Sequence, residues 1–244
     1  MSKAALIIQA RASSQRLPGK MLMNITNIPL YKYVYRRCQQ VQGIDSVILA
    51  TSVEKADDSI ARAAKFKGIN IFRGSLSNVL ERYISCAQEV GADTILRVCG
   101  DSPFIDNRKA EQLLANLKDR NLDYIGFRKN RYVKGLDSEA VRLSALQKSL
   151  KLSDHPDNLE HVTHYIRRNF QIFRAEWLNI DMDPFGGRFS LTVDTAKDLN
   201  FCQQVANAIA RKIGYEKFDF TTDDVFKIIK RLYSTPEEKD KAYA

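Results

Sequence analysis

Cysteine is scarce in this chain of 244 residues. Only Cys38, Cys86, Cys99 and Cys202 occur, far apart and with no CxxC pair. That pattern excludes a disulfide scaffold, and three of the four sit in apolar runs, as reduced thiols of a cytoplasmic protein do. Long apolar runs are missing as well. No stretch approaches the ~18 residues of a membrane span. Ala4–Ile8 is too short for a signal-peptide core, and the polar Gln9-Ala10-Arg11 follows at once. There is no GxGxxG, no HExxH, no internal repeat and no low-complexity segment. Secretion and membrane insertion are therefore set aside. The most informative gap is one of charge: residues 1–44 hold no Asp or Glu, yet carry Lys3, Arg11, Arg16, Lys20, Lys32, Arg36 and Arg37.

That gap explains the formal net charge of +9, because the remaining 200 residues hold 31 basic and 29 acidic side chains. A diffuse basic surface would suit nucleic acid. A concentrated one suits a compact polyanion such as a nucleoside triphosphate. A solvated basic helix face remains the plain alternative for Arg36-Arg37. With 44% hydrophobic and 27% charged residues, the composition fits one soluble domain, or one domain with a sizeable insertion. A chain of this length buries roughly 70–75% of its unfolded surface and needs no metal or disulfide staple.

Apolar runs of strand length alternate with helical periodicity through the first half. Strands are expected at Ala4–Ile8, Ser46–Ala50, Gly68–Phe72, Thr94–Val98 and Asp123–Phe127. Between them, helices are expected from Pro29, over Asp57–Lys67, over Leu76–Val90 and over Lys109–Leu117. Near-continuous apolar strands in such an alternation predict an α/β protein, with a mostly parallel sheet covered on both faces. After Phe127 the rhythm breaks. A basic loop at Arg128–Lys134 leads to a strand at Glu139–Leu143, a helix capped by Ser144, a helix over His155–Phe170 and a strand over Ile172–Trp177. A short buried strand at Leu191–Val193 then precedes closing helices over Thr195–Ile213 and Thr222–Tyr233. Residues 1–234 form a single domain in this view, with an insertion or lid at about 128–190 and a disordered tail over 235–244.

Three segments carry chemistry. Gln9-Ala10-Arg11-Ala12-Ser13-Ser14-Gln15-Arg16-Leu17-Pro18-Gly19-Lys20 follows the first strand, where an α/β sheet binds its ligand. Three cations, hydroxyls and a glycine can surround phosphate oxygens with donors. It is not a Walker loop, since no glycine stands five residues before Gly19 and Met21 follows Lys20. A solvated basic loop is the competing interpretation. Val98-Cys99-Gly100-Asp101 ends the fourth strand, and Leu191-Thr192-Val193-Asp194 ends the late one. A carboxylate just past a strand end is placed for Mg²⁺, which prefers oxygen ligands. Asp101 could equally cap the helix that begins near Asp106, and Asp194 the helix that follows it. Together, two such aspartates can share one ion.

These segments, with ATS at 50–52, FRGSLSNVLERY, GLDSEAV, EHVTHYI and LTVDTAKDL in chain order, resemble the cytidylyltransferases over about residues 4–212. The nearest resemblance is to the spore coat polysaccharide biosynthesis protein F group, similar to the CMP-Kdo and acylneuraminate cytidylyltransferases. The resemblance implies a Rossmann-like, GT-A-like nucleotidyltransferase with a dimerising insertion, so a homodimer is expected. It implies transfer of CMP from CTP to a sugar acid or related hydroxyl acceptor, with pyrophosphate released and Mg²⁺ as cofactor. By motif position, Arg11, Ser14, Arg16 and Lys20 would hold the triphosphate, and Arg11, Lys20 and Asp101 would be catalytic. Thr51, Ser75 and Arg82 would lie near cytosine and ribose. Asp101 and Asp194 would hold the metal, and Glu139 and His161 would face the acceptor. Asn78 stands where the pattern has an acid, and Ser138 and Arg142 stand where it has apolar residues.

Other readings are weaker. Glu160-His161-Val162-Thr163-His164, with His155 nearby, suggests zinc, but no HExxH or CxxC accompanies it. Trp177 and the Tyr31/Tyr33/Tyr35 cluster read as packing, and Cys99, without an adjacent base, as an inert core thiol. A glycosyltransferase-type domain using a nucleotide-sugar donor and a non-catalytic nucleotide or nucleic-acid binder are the alternative functions. The confinement of charge to residues 1–44 opposes nucleic acid as a partner.

Overall fold

The computed structural model describes residues 3–128, 132–180 and 183–232. The apolar runs become β1 (Ala4–Gln9), β2 (Ser46–Ser52), β3 (Ile71–Gly74), β4 (Thr94–Cys99) and β5 (Tyr124–Phe127), joined by β6 (Glu139–Arg142) and β7 (Ala175–Leu178). All seven form one sheet in the order β3-β2-β1-β4-β6-β5-β7. The first four run parallel, and β6 runs antiparallel to both neighbours. Thus β5 regains the direction of β4, and β7 lies parallel to it. Both strands from within 128–190 are therefore part of the same sheet.

Along β1, Leu6 and Ile8 enter one core while Ala5 and Ile7 enter another. That is the period of two expected of a strand covered on both faces. Leu6, Ile7 and Ile8 are fully buried, and each contributes about 1.5–3 kcal/mol by leaving water. The first core is closed by α1 (Leu30–Cys38), α2 (Asp58–Phe66), α4 (Asn107–Asp119), α8 (Ala196–Ile213) and α9 (Thr222–Leu232). The second is closed by α3 (Val79–Glu89) and α5 (Leu143–Leu152), with α6 (Pro156–Glu160) and α7 (His164–Arg168) beside them. No helix among the described residues is long and apolar enough to cross a membrane.

The chain moves outward from β1 to β2 and β3, then returns to lay β4 on the other flank of β1. At such a reversal the connecting loops diverge, and a crevice opens outside the carboxyl ends of the strands. Here those ends are Gln9 and Cys99, which are register partners.

Several expectations need correction. The third helix begins at Val79 rather than Leu76. Ser75 Oγ accepts the Asn78 N–H at 3.0 Å, and Asn78 Oδ1 then caps the helix by accepting the Glu81 N–H at 2.9 Å. Asn78 thus does the capping that an aspartate would do. Ser144 lies inside α5 and caps nothing, since the N-cap is Arg142, whose Nε donates to the Leu122 carbonyl at 2.8 Å. The single helix over His155–Phe170 is two helices, because Val162 takes φ +49° and turns the chain. Leu191–Val193 is buried as expected but is no strand. Its N–H groups pair singly, Leu191 with the Lys134 carbonyl and Val193 with that of Asp101. Tyr132, Val133 and Phe173, from the stretch expected to be an insertion, are buried within the core. Tyr233, the tail over 235–244 and positions 129–131 of the basic loop lie outside the described residues.

Candidate active site

The crevice at the ends of β1 and β4 has a volume of about 880 Å³. One wall is the loop after β1, contributing Arg11, Ser13, Ser14, Gln15, Arg16 and Lys20. The opposite wall holds Cys99, Asp101, Asp194 and Glu160. The loop keeps its shape through backbone contacts, with the Gly19 N–H donating to the Ala12 carbonyl and the Ala12 N–H to Asp57 Oδ1 at 2.6 Å. Gly19 takes φ +71°, a left-handed conformation that glycine adopts without steric cost, just before the turn that presents Lys20. Asp57 also accepts from the Ser52 hydroxyl at 2.5 Å and the Ser52 N–H at 3.0 Å, so one buried carboxylate ties the loop to the end of β2. Burial alone would raise its pKa, but these bonds outweigh burial and hold the carboxyl below its ordinary value. Asp57 was legible only as a helix start. Its role depends on a partner 45 residues away.

The two strand-end aspartates come together. The Val193 N–H donates to the Asp101 carbonyl at 2.8 Å, which sets the two segments side by side. Between them sits the Lys20 ammonium, 2.9 Å from Asp101 Oδ2, 3.3 Å from Asp194 Oδ1 and 2.7 Å from the Val193 carbonyl. Arg16 and Lys134 also reach Asp194, both at 3.1 Å. Burial raises the Asp194 carboxyl, but Lys134, Lys20 and Arg16 together hold it below the usual carboxylate range. Neither aspartate is a helix cap. Asp106 caps α4 by accepting the Lys109 N–H, and Thr195 with Asp198 forms a capping box on α8. The remaining loop cation, Arg11, faces Glu160 at 3.7 Å across the crevice, both half exposed.

The cations of the loop therefore have acidic partners, and all of those partners come from distant sequence. Gly135 helps to make this possible. At φ +93° its α-carbon lies so close to Leu191 that an added Cβ would stand 2.4 Å from the Leu191 carbonyl carbon.

Thr51, Ser75 and Arg82 do not line the crevice. Thr51 and Arg82 are buried, and Arg82 Nη1 donates to the Ser75 carbonyl at 2.7 Å. Burial pulls the Arg82 guanidinium down, with Asp57 and Arg11 within electrostatic reach.

Glu139 faces inward. Its carboxylate pairs with Arg97 at 2.6 Å and Arg167 at 3.7 Å, and accepts from the Tyr124 hydroxyl at 2.7 Å and the Thr163 hydroxyl at 3.0 Å. Desolvation pushes it up, but Arg97 and Arg167 prevail and hold it below its ordinary value. Arg97 in turn donates to Gln9 Oε1 at 3.2 Å, on the crevice wall. His161 is exposed on the turn between α6 and α7 and does not line the crevice, whereas its neighbour Glu160 does. Gln9, Arg97, Lys134 and Glu160 were not legible as site residues, since their partners are 42 to 149 positions away. Among the described residues no group of three His, Cys, Asp or Glu side chains could hold a metal, so the zinc reading has no support there. Burial pushes the Cys99 thiol up to about 12, as an inert thiol requires.

A crevice of about 880 Å³, a basic loop and paired acids at a sheet reversal are the features of a nucleotide-handling α/β enzyme. The family model described as cytidylyltransferase matches residues 5–238, and the chain belongs to that family. It is a CTP-dependent nucleotidyltransferase. Over its whole length it is similar to the spore coat polysaccharide biosynthesis protein SpsF of Bacillus subtilis, with 28% identity covering 98% of this chain and 99% of that protein. A solved cytidylyltransferase from Leptospira borgpetersenii superposes with TM-score 0.83 at 24% identity, covering 95% of each chain. The structure of CMP:2-keto-3-deoxy-manno-octonic acid synthetase complexed with CTP does so with TM-score 0.65 at 22% identity, covering 87% of this chain and all of that one. At these identities the structures show a shared fold.

Proposed function

We propose that the enzyme transfers CMP from CTP to a hydroxyl of a sugar acid or related acceptor, releasing pyrophosphate, in cell-surface polysaccharide or glycoconjugate biosynthesis. The observation that carries this reading is the convergence of Lys20 and Arg16 on Asp101 and Asp194 at the reversal between β1 and β4. The acceptor class and the pathway rest on likeness to SpsF and on the CTP-bound neighbour.

Attack on the α-phosphorus needs the acceptor oxygen in line and the charge of the departing pyrophosphate spread over donors. Arg11, Arg16 and Lys20 supply those donors, and Ser14 adds a hydroxyl from the same loop. Thr51, Ser75 and Arg82 serve the nucleoside side. Glu139 serves the acceptor side indirectly, by holding Arg97 against Gln9.

Asp101 and Asp194 would hold Mg²⁺. Their donor chemistry fits, because two carboxylates and the Val193 carbonyl already meet around one cationic atom. When bound, the ion neutralises charge on the phosphates. No protein nucleophile is needed.

We also propose a homodimer formed through the insertion at 128–190, in a cytoplasmic enzyme. The edge strand β7 supports it, with Trp177, Leu178 and Ile180 around a hollow of about 530 Å³. Sedimentation at micromolar concentration should give twice the mass of the chain, and a stable monomer refutes the dimer. Pyrophosphate release tests the reaction. It should need CTP, Mg²⁺ and an acid acceptor together, and Asp101→Asn should abolish it in a protein that melts normally. A glycosyltransferase would release none.

A further inference from the structure

Lys20 stands where the divalent ion would sit. Its ammonium contacts all three oxygens that would serve the metal, and the side chain is only 10% exposed. An ion and an ammonium cannot share that point, since both need the same lone pairs and repel each other at contact distance. The surroundings sharpen the conflict. Two carboxylates, Asp101 and Asp194, face three cations, Lys20, Arg16 and Lys134. The cluster is thus already net positive, and a free divalent ion would add to the excess. A metal–triphosphate complex is net negative and would reverse it. The lysine also has somewhere to go. It starts at the end of the basic loop, directly after Gly19, and shares the crevice with Arg11, Ser14 and Arg16.

We propose that Lys20 closes the metal site of the nucleotide-free enzyme, so that the ion enters only as its complex with CTP. On arrival the ammonium leaves the carboxylates for the phosphates, and the carboxylates take the ion. Binding is then ordered, and free metal neither preloads the site nor competes for it. This rests on the assignment of Asp101 and Asp194 as metal ligands in the proposed function.

The test is Mn²⁺ binding to the full-length protein without nucleotide, read from the paramagnetic resonance signal of free Mn²⁺. Wild type should bind weakly. Lys20→Met removes the charge at similar length, and Lys20→Gln keeps a group able to donate to the carboxylates, so one variant covers a failure of the other to fold. Either should bind Mn²⁺ about ten- to hundredfold more tightly than wild type, the equivalent of freeing one charge-assisted contact. Adding Asp101→Asn should remove the gain. The same variants should bind Mn²⁺–CTP more weakly than wild type. Mn²⁺ affinity unchanged or reduced in both folded variants overturns the proposal. If wild type nevertheless releases pyrophosphate from CTP, the reading of the reaction survives that failure. If wild type binds no Mn²⁺–CTP at all, the reading itself falls.

Discussion

Replacing Glu139 by alanine removes the carboxylate around which β4, β5, β6 and the α6–α7 turn are organised. It strands Arg97, whose side chain is 15% exposed, without its 2.6 Å partner. It also leaves the Tyr124 and Thr163 hydroxyls without their acceptor. Breaking a buried pair from one side costs about 3–5 kcal/mol, because the remaining charge keeps its desolvation penalty and loses its compensation. That is a large part of the ~5–15 kcal/mol that stabilises a typical domain. For a chain of this size each kcal/mol shifts the melting temperature by about 2–4 °C, so a fall of about 6–20 °C is expected. Thermal and urea unfolding of Glu139→Ala and Glu139→Gln measure it. The glutamine variant should lose less, since it can still accept from the two hydroxyls. The pH dependence follows from the depressed Glu139 pKa. Its stabilisation is present above the unfolded value of about 4.3 and is lost as pH falls through the lower folded value, so wild type and Glu139→Gln should converge in acid. If Glu139→Ala melts within about 2 °C of wild type and loses only turnover, the carboxylate acts on substrate and the structural account is wrong.

Arg16→Ala should weaken CTP roughly tenfold and leave CMP little changed, because the lost contact is to the outer phosphates; titration calorimetry with both nucleotides decides, and equal losses would count against the phosphate loop. Cys99, with its thiol pushed up to about 12, should resist iodoacetamide at pH 8 and react only as the solution approaches that value; rapid labelling at pH 8 contradicts the assigned environment. Gly135→Ala puts a Cβ against the Leu191 backbone at a positive φ and should cost at least about 2 kcal/mol, together with CTP affinity, since it separates the segment bearing Asp194 from its support. Unchanged melting would refute that packing argument.

The central strands were legible because a strand buried on both faces is apolar almost throughout, as in Ala4–Ile8 and, but for Thr94 and Arg97, in Thr94–Val98. Apolar character reports burial, however, and not pairing. Leu191-Thr192-Val193 carries the same signal and is buried, yet it finds only single backbone partners in Lys134 and Asp101. Val162 interrupts a helix that the surrounding periodicity supports, because one residue at φ +49° is enough to turn the chain. At the site, the cations were visible as a local run and the aspartates as strand ends. Their pairing was not, because Lys20 meets Asp194 across 174 positions and Arg11 meets Glu160 across 149. Glu139 was expected to face the acceptor. A motif position shows that a carboxylate is required, but only the buried Arg97, Tyr124 and Thr163 show which way it points.

The most direct measurement of the central claim is the product itself. CTP labelled at the α-phosphorus is incubated with Mg²⁺, a metabolite extract and the enzyme, and the mixture is resolved by mass spectrometry. A new species carrying the labelled CMP joined to an acceptor, formed with an equal amount of pyrophosphate and absent with Asp101→Asn, is the predicted result. Labelled CMP appearing only free, or a label that never leaves CTP while a sugar moves from a CMP-linked donor, would contradict cytidylyl transfer.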